Sequence, residues 1–173
     1  PWVDGTFRPI EQPVQFDHRH HVLDAGIDCL YCHGLAAVGP TAGVPPTSLC
    51  LNCHAQIWND SPLLAPVRRS ARTGDPIPWR RVTDLPDFVF FHHAAHVRRG
   101  VACATCHGPV ERMARVYAVH AMRMGFCLDC HRDPLPRLVD PARVTAVDVR
   151  PGEGVPATLA SVDPPVHCSG CHR

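Results

Sequence analysis

Five times in 173 residues the chain repeats Cys-x-x-Cys-His. The repeats are CLYCH (Cys29, Cys32, His33), CLNCH (Cys50, Cys53, His54), CATCH (Cys103, Cys106, His107), CLDCH (Cys127, Cys130, His131) and CSGCH (Cys168, Cys171, His172), and they hold all ten cysteines. Three chemistries use such pairs. A disulfide framework fits an even cysteine count but gives the five histidines nothing to do. A zinc ribbon fits the 17 residues between Cys32 and Cys50, yet five pairs do not divide into four-cysteine sites, and the histidines again stay idle. Covalent attachment of c-type haem uses every residue of the motif. With 13 histidines in 173 residues, a random order would place one behind all five pairs roughly twice in a million shuffles, which decides for the haem motif.

The spacing has a mechanical reason. Positions i, i+3 and i+4 of a helical turn share a face. Two thiols can therefore form thioethers to one macrocycle while the next imidazole reaches its iron. One motif means one haem, so the expected cofactors are five covalently attached haem c groups. Nineteen prolines and twelve glycines leave little room for long helices or sheets. The predicted fold is mainly irregular with short α-helices, a small multihaem fold organised around five covalently bound haems. Those groups supply the core that such a chain cannot build alone.

The remaining composition excludes more than it assigns. A net charge of +1 gives no electrostatic case for nucleic acid. All 17 basic residues are Arg, for which a GC-rich genome is the simplest reading, although Arg also forks onto carboxylates. No run of eighteen apolar residues occurs, so no transmembrane segment is expected in the chain as given. No secretory signal is visible, and the chain begins at Pro1 without Met. This predicts a mature or truncated form.

Each motif histidine fills one axial position of an iron. If His or Met fills the other, the haem carries electrons; if it is open, the haem can bind and transform a substrate. Candidates outside the motifs are His18, His20, His21, His92, His93, His96, His120, His167, Met113, Met122 and Met124. They are not scattered. FDHRHH (residues 16–21) precedes the first motif and FHHAAH (residues 91–96) the third, and both fit Phe-x-His-x-x-His. Histidines three apart on a helical turn point the same way and reach two neighbouring haems. His18, His21, His93 and His96 are therefore the expected distal ligands, whereas His20 and His92 break the pattern and read as surface histidines. His167 abuts Cys168 and would have to reach across its own haem. For the fifth site the residues alone leave His120 and a methionine open, since Met is more often a core filler than a ligand.

Phe-x-His-x-x-His before Cys-x-x-Cys-His resembles small multihaem cytochromes of the c3 and c7 type. There the first histidine serves the haem of the next motif and the second a neighbouring haem. The resemblance implies that His18 faces His33 and His93 faces His107, with His21 and His96 reaching to other haems. A longer stretch, DSPLLAPVRRSARTGDPIPWRRVTDLPDFVFFHHAAHVRRGVACATCHGPVERM (residues 60–113), together with VPPTSLCLNCH (residues 44–54) and MGFCLDCHR (residues 124–132), is similar to the pentahaem cytochrome c subunit of bacterial alternative complex III. In that family a Met stands directly before the fourth motif and no His stands at position 120, which implies Met124 as the fifth distal ligand. Such subunits begin with a membrane-anchoring helix, and this sequence as given departs from that pattern.

The expected organisation is a single domain, 1–173. An extended arm (1–15) leads into a first dihaem module (16–55). Ser61, Pro62 and Gly74 bracket a short helix, and PIPWRRVTDLPDF forms a proline-studded loop. A second dihaem module (88–132) follows. Residues 133–166 hold no proposed ligand and are expected to be an extended partner-contacting segment. The fifth haem motif (167–173) ends the chain.

The resemblance implies an electron-transfer subunit of a quinol-oxidising membrane complex. Its partners would be an iron–sulfur subunit, integral membrane subunits and a monohaem cytochrome c. Electrons would pass to a periplasmic cytochrome or a terminal oxidase, with quinol chemistry done elsewhere. Haem attachment through thioethers places the expected location on the periplasmic side of the cytoplasmic membrane. The rivals are a multihaem reductase with one open catalytic haem and a free periplasmic electron shuttle.

Overall fold

A computed structural model describes residues 5–172. Seven short α-helices occur among them: α1 (Cys29–Cys32), α2 (Thr47–His54), α3 (Ala65–Thr73), α4 (His93–Arg98), α5 (Cys103–His107), α6 (Met124–Arg132) and α7 (Cys168–Cys171). Among the described residues β-structure is limited to two isolated antiparallel bridges, Val89–His172 and Val101–Leu138. Short 3₁₀ turns and irregular chain fill the rest. The expected mainly irregular fold with short helices is the one found.

Five of the seven helices carry a Cys-x-x-Cys-His motif. The helix foreseen between Ser61 and Gly74 is also present. The Ser61 hydroxyl accepts from Leu63 N–H at 3.3 Å, and Gly74 closes α3 in the left-handed region at φ 80°. Only its first turn differs, tightening to 3₁₀ over Pro62–Leu64. Thr47 and Ser70 bond through their hydroxyls at 2.7 Å and tie α2 to α3. Residues 5–15 pair with the chain beyond the third motif, through Phe7 N–H to Ala118 C=O at 2.8 Å and Ile10 N–H to Val116 C=O at 3.2 Å.

The protein's own core is small. One buried cluster gathers Val14, Val67 and Ile77 beside Leu51, Leu64 and Trp79; another gathers Ala102, Val139 and Val144 beside Val97 and Val149. The accessible surface is 11431 Å² for 19.0 kDa. A folded monomer of that mass exposes about 8,400 Å². The excess is apolar in good part, because Tyr31, Leu35, Phe88, Phe90 and Leu135 lie open. A chain of this kind needs large apolar bodies to complete its interior.

The segment 133–166 is the one expected to be an extended partner-contacting segment. It folds back on its own chain. Leu138, Val139, Val144 and Leu159 are buried, Val139 N–H donates to Gly100 C=O at 2.8 Å, and Cys103 N–H donates to Val144 C=O at 2.9 Å. The reason is hydrophobic: spaced Leu and Val side chains between the prolines cover the open flank of α4 and α5. Gly100 makes the close approach possible. It sits at φ +78°, and a Cβ there would collide with the Val139 carbonyl. Replacing Leu138, which is 2 % exposed, with Ala is expected to cost about 2–5 kcal/mol in denaturant unfolding of the haem-loaded protein. Gly100→Ala should be at least as damaging, because strain and collision act together. Val147→Ala, on an exposed side chain, should change little.

Candidate haem-binding sites

The motif helices present the two thiols of each pair on one face, as the i, i+3 spacing requires. All ten cysteines are free thiols, with no disulfide within or between motifs. Burial pushes the thiols of Cys32, Cys50, Cys127 and Cys130 up, and Cys106 to about 11, helped there by Cys130 and Cys127. Burial favours the neutral thiol in these groups.

The histidines are arranged in facing pairs. His93 and His107 are 6.4 Å apart between ring centres with an interplanar angle of 1°. His21 and His54 are 6.1 Å apart at 63°, and His96 and His131 6.1 Å apart at 39°. A first-row metal binds an imidazole nitrogen at about 2.0–2.1 Å, so two imidazoles on opposite sides of one metal place their ring centres about 6.3 Å apart. The pairs have that gap. His18 lies near His33: burial first, and then the His33 imidazole, lower its pKa to about 4. It therefore presents a neutral ring at pH 7. His96 and His107 are lowered for the same first reason, burial.

The tautomers are set by the backbone. Nδ1 donates to a carbonyl oxygen in His21 (Asp17, 3.0 Å), His33 (Gly43, 3.1 Å), His54 (Ile57, 3.0 Å), His93 (Pro40, 2.9 Å), His96 (His92, 2.9 Å) and His131 (Pro165, 2.8 Å). Each leaves Nε2 unprotonated and available to a metal. The other histidines are engaged differently. His20 Nδ1 bonds Asp24 at 2.7 Å, His92 caps α4 by accepting from Ala95 N–H at 3.4 Å, and His167 Nδ1 bonds the Ser169 hydroxyl at 3.1 Å.

Facing imidazoles alone do not make a metal site. Among the described residues no three His, Cys, Asp or Glu side chains converge on one point. Whatever metal lies between the pairs must bring its own equatorial ligands, as the iron of a porphyrin does. Two buried side-chain atoms lack partners, His18 Nδ1 and Thr105 Oγ1. Both belong to residues of the Phe-x-His-x-x-His and Cys-x-x-Cys-His segments. The residues present therefore fit haem.

Two phenylalanines hold the imidazoles, a role the sequence pattern included without explaining. Phe16 stacks on His21 at 4.3 Å and 23° and meets His18 edge-on at 4.8 Å and 81°. Phe91 repeats this on His96 at 4.6 Å and 24° and on His93 at 4.7 Å and 87°. One ring thus sets two imidazole planes. The two turns are otherwise not identical, since His93 lies on a regular α4 while His20–Asp24 is a wider π-turn.

The fifth motif has no such partner. Among the described ring contacts, His172 meets Phe88 at 5.8 Å and no histidine. Met124 opens α6 and is 64 % exposed, Met113 is buried in the protein's own core, and His120 stacks on Phe126 at 4.5 Å. Met122 lies just before α6 with φ 47°. The structure brings none of these onto His172 by a described contact.

His96→Ala in the haem-loaded protein is expected to convert one haem from low-spin to high-spin and to open it to carbon monoxide, read by absorption and electron paramagnetic resonance. His21→Ala should do the same at the site of His54. His20→Ala and His92→Ala should leave the spin state unchanged, because those rings are turned to Asp24 and to the end of α4.

Comparison with known proteins places the chain. Residues 89–173 match the family described as cytochrome c7 and related cytochrome c. A relative from Nitratidesulfovibrio vulgaris, described as the multiheme cytochrome c subunit of menaquinone reductase, is 41% identical over 103 residues, 59% of this chain and 48% of the relative. The chain thus spans about half the length of the curated relative it matches. The matched region contains His93, His96 and the third, fourth and fifth Cys-x-x-Cys-His motifs, and over these residues the chain is similar to c7-type multihaem cytochromes c.

Proposed function

We propose that the protein is an electron-relay subunit of a membrane-bound quinone oxidoreductase complex, carrying five covalently attached haem c groups. The observation that carries the reading is the set of facing imidazole pairs at 6.1–6.4 Å. Saturated axial positions suit electron transfer and exclude substrate from the iron. Cys29/Cys32, Cys50/Cys53, Cys103/Cys106, Cys127/Cys130 and Cys168/Cys171 would tether the haems. The axial ligands would be His33 with His18, His54 with His21, His107 with His93, His131 with His96, and His172 with Met124. The last is supported by the family resemblance alone.

Bound haem supplies reversible one-electron chemistry. The chain's own residues do the rest. Backbone carbonyls fix Nε2 as the metal-facing atom, Phe16 and Phe91 set ring orientation, and burial favours the neutral form of His18, His96 and His107. In this reading the quinone chemistry is done by a partner subunit. The partners would be an iron–sulfur subunit, integral membrane subunits and a monohaem cytochrome c, on the periplasmic side of the cytoplasmic membrane. No described helix is long and apolar enough to cross a membrane.

The finer reading, the pentahaem subunit of a quinol-oxidising alternative complex III, is supported by the segments around residues 44–54, 60–113 and 124–132. The relative's description favours a second reading, flux toward menaquinone. Purified complex distinguishes them: net quinol oxidation with a cytochrome acceptor supports the first, menaquinone reduction by a reduced cytochrome the second. For the relay itself, all haems should be low-spin, with no carbon monoxide binding after reduction. A high-spin fraction equal to one whole haem would mark an open catalytic site and overturn it. Met124→Leu should perturb one haem's axial ligation; an unchanged spectrum transfers that role to His120 or Met122.

A further inference from the structure

We infer that the five motif sites form one unbranched file in the order second, first, third, fourth, fifth, with His54 and His172 at its two ends. This rests on the reading of each motif as a haem site, and it differs from the order of the motifs along the chain. Every junction stands on separate contacts.

The second and first sites share the Phe16-clamped turn, whose two histidines face His33 and His54. Asn52 of α2 also donates to the Tyr31 hydroxyl of α1 at 3.3 Å. The other hydrogen bonds described from α2 side chains run to Ser70 and to the Ile57 carbonyl, so α2 is anchored within the N-terminal half.

The first and third sites are joined across the two modules by the folded-back segment. Thr145 donates its hydroxyl to Asp28, the N-cap of α1, at 2.6 Å. The preceding Val144 carbonyl accepts from Cys103 N–H at 2.9 Å. Two consecutive residues thus pin the start of α1 to the start of α5. The loop after the first motif repeats the arrangement, with Gly43 C=O on His33 and Pro40 C=O on His93. One short loop therefore orients an imidazole in each of the two sites.

The third and fourth sites share the Phe91-clamped turn, with His93 facing His107 and His96 facing His131. The fourth and fifth sites meet at the chain's end. Pro165 C=O accepts from His131 Nδ1 at 2.8 Å while its ring packs under Gly170 of α7. Phe90 N–H, just before the Phe91 clamp, donates to Cys171 C=O at 2.7 Å.

The consequence is that partner redox centres exchange electrons with this subunit at the neighbourhoods of α2 and α7, and that Val144–Thr145 holds the central junction. Iron positions located by anomalous scattering in crystals of the haem-loaded chain test this. The iron on His54 is expected to have the iron on His33 as its nearest neighbour, and the iron on His172 that on His131. The iron on His33 should have those on His54 and His107 as its two nearest. An iron on His54 that lies nearest to the one on His107 or His131 would overturn the file, as would a branched arrangement. Haem count by intact mass separates the two levels: five haems in another order defeats the file alone, whereas fewer than five defeats the relay reading beneath it.

Discussion

The structure depends on one geometric constraint, that two imidazoles face each other across a gap just wide enough for a single metal. Almost nothing else in the chain is self-sufficient. The helices are one to three turns long, and isolated helices of that length are unstable in water. Among the described residues two small apolar clusters hold six of the eleven buried apolar side chains. What makes the arrangement reproducible is that six of the imidazoles are held from behind by a backbone carbonyl on Nδ1 and, in two turns, a phenylalanine ring packs on them. The irregular backbone then has a purpose. It delivers carbonyl oxygens such as those of Pro40, Gly43, Ile57 and Pro165 to points that no regular helix or sheet would expose.

This economy explains how 173 residues can serve several haem sites. Each Phe-x-His-x-x-His turn sets two imidazoles with one phenylalanine ring, so the cost of ordering one turn is shared between two positions. Sharing also enforces proximity, since histidines three apart cannot serve distant metals. Closely spaced sites are the natural outcome, and short spacing favours transfer of single electrons. The pairing of imidazoles supports the same proposed reading, relay over substrate chemistry.

The folded-back segment has a second role beyond covering α4 and α5. Between Leu138 and Val149 it supplies the buried side chains of one apolar cluster, and through Thr145 it reaches the cap of α1 in the other half. A loop that looks dispensable, because it carries no ligand, is thus the part that unites the two modules. Its outer surface remains available to a partner, but its inner residues are committed to the chain itself.

The sequence alone determined the chemistry. Five Cys-x-x-Cys-His motifs name their cofactor because covalent attachment needs a fixed local spacing, and local spacing is fully written in a sequence. The Phe-x-His-x-x-His turns were legible for the same reason, as was the capped helix from Ser61 to Gly74. Only the tertiary structure decided which imidazole faces which, because His21 with His54 and His96 with His131 are pairings across the fold that no local spacing encodes. It also decided that 133–166 turns inward, since that outcome depends on an apolar flank of α4 and α5 that exists only once both helices are placed. The fifth distal position stayed with family resemblance, because the segment from His120 to Met124 carries three candidate side chains within five residues and the described contacts bring none of them to His172.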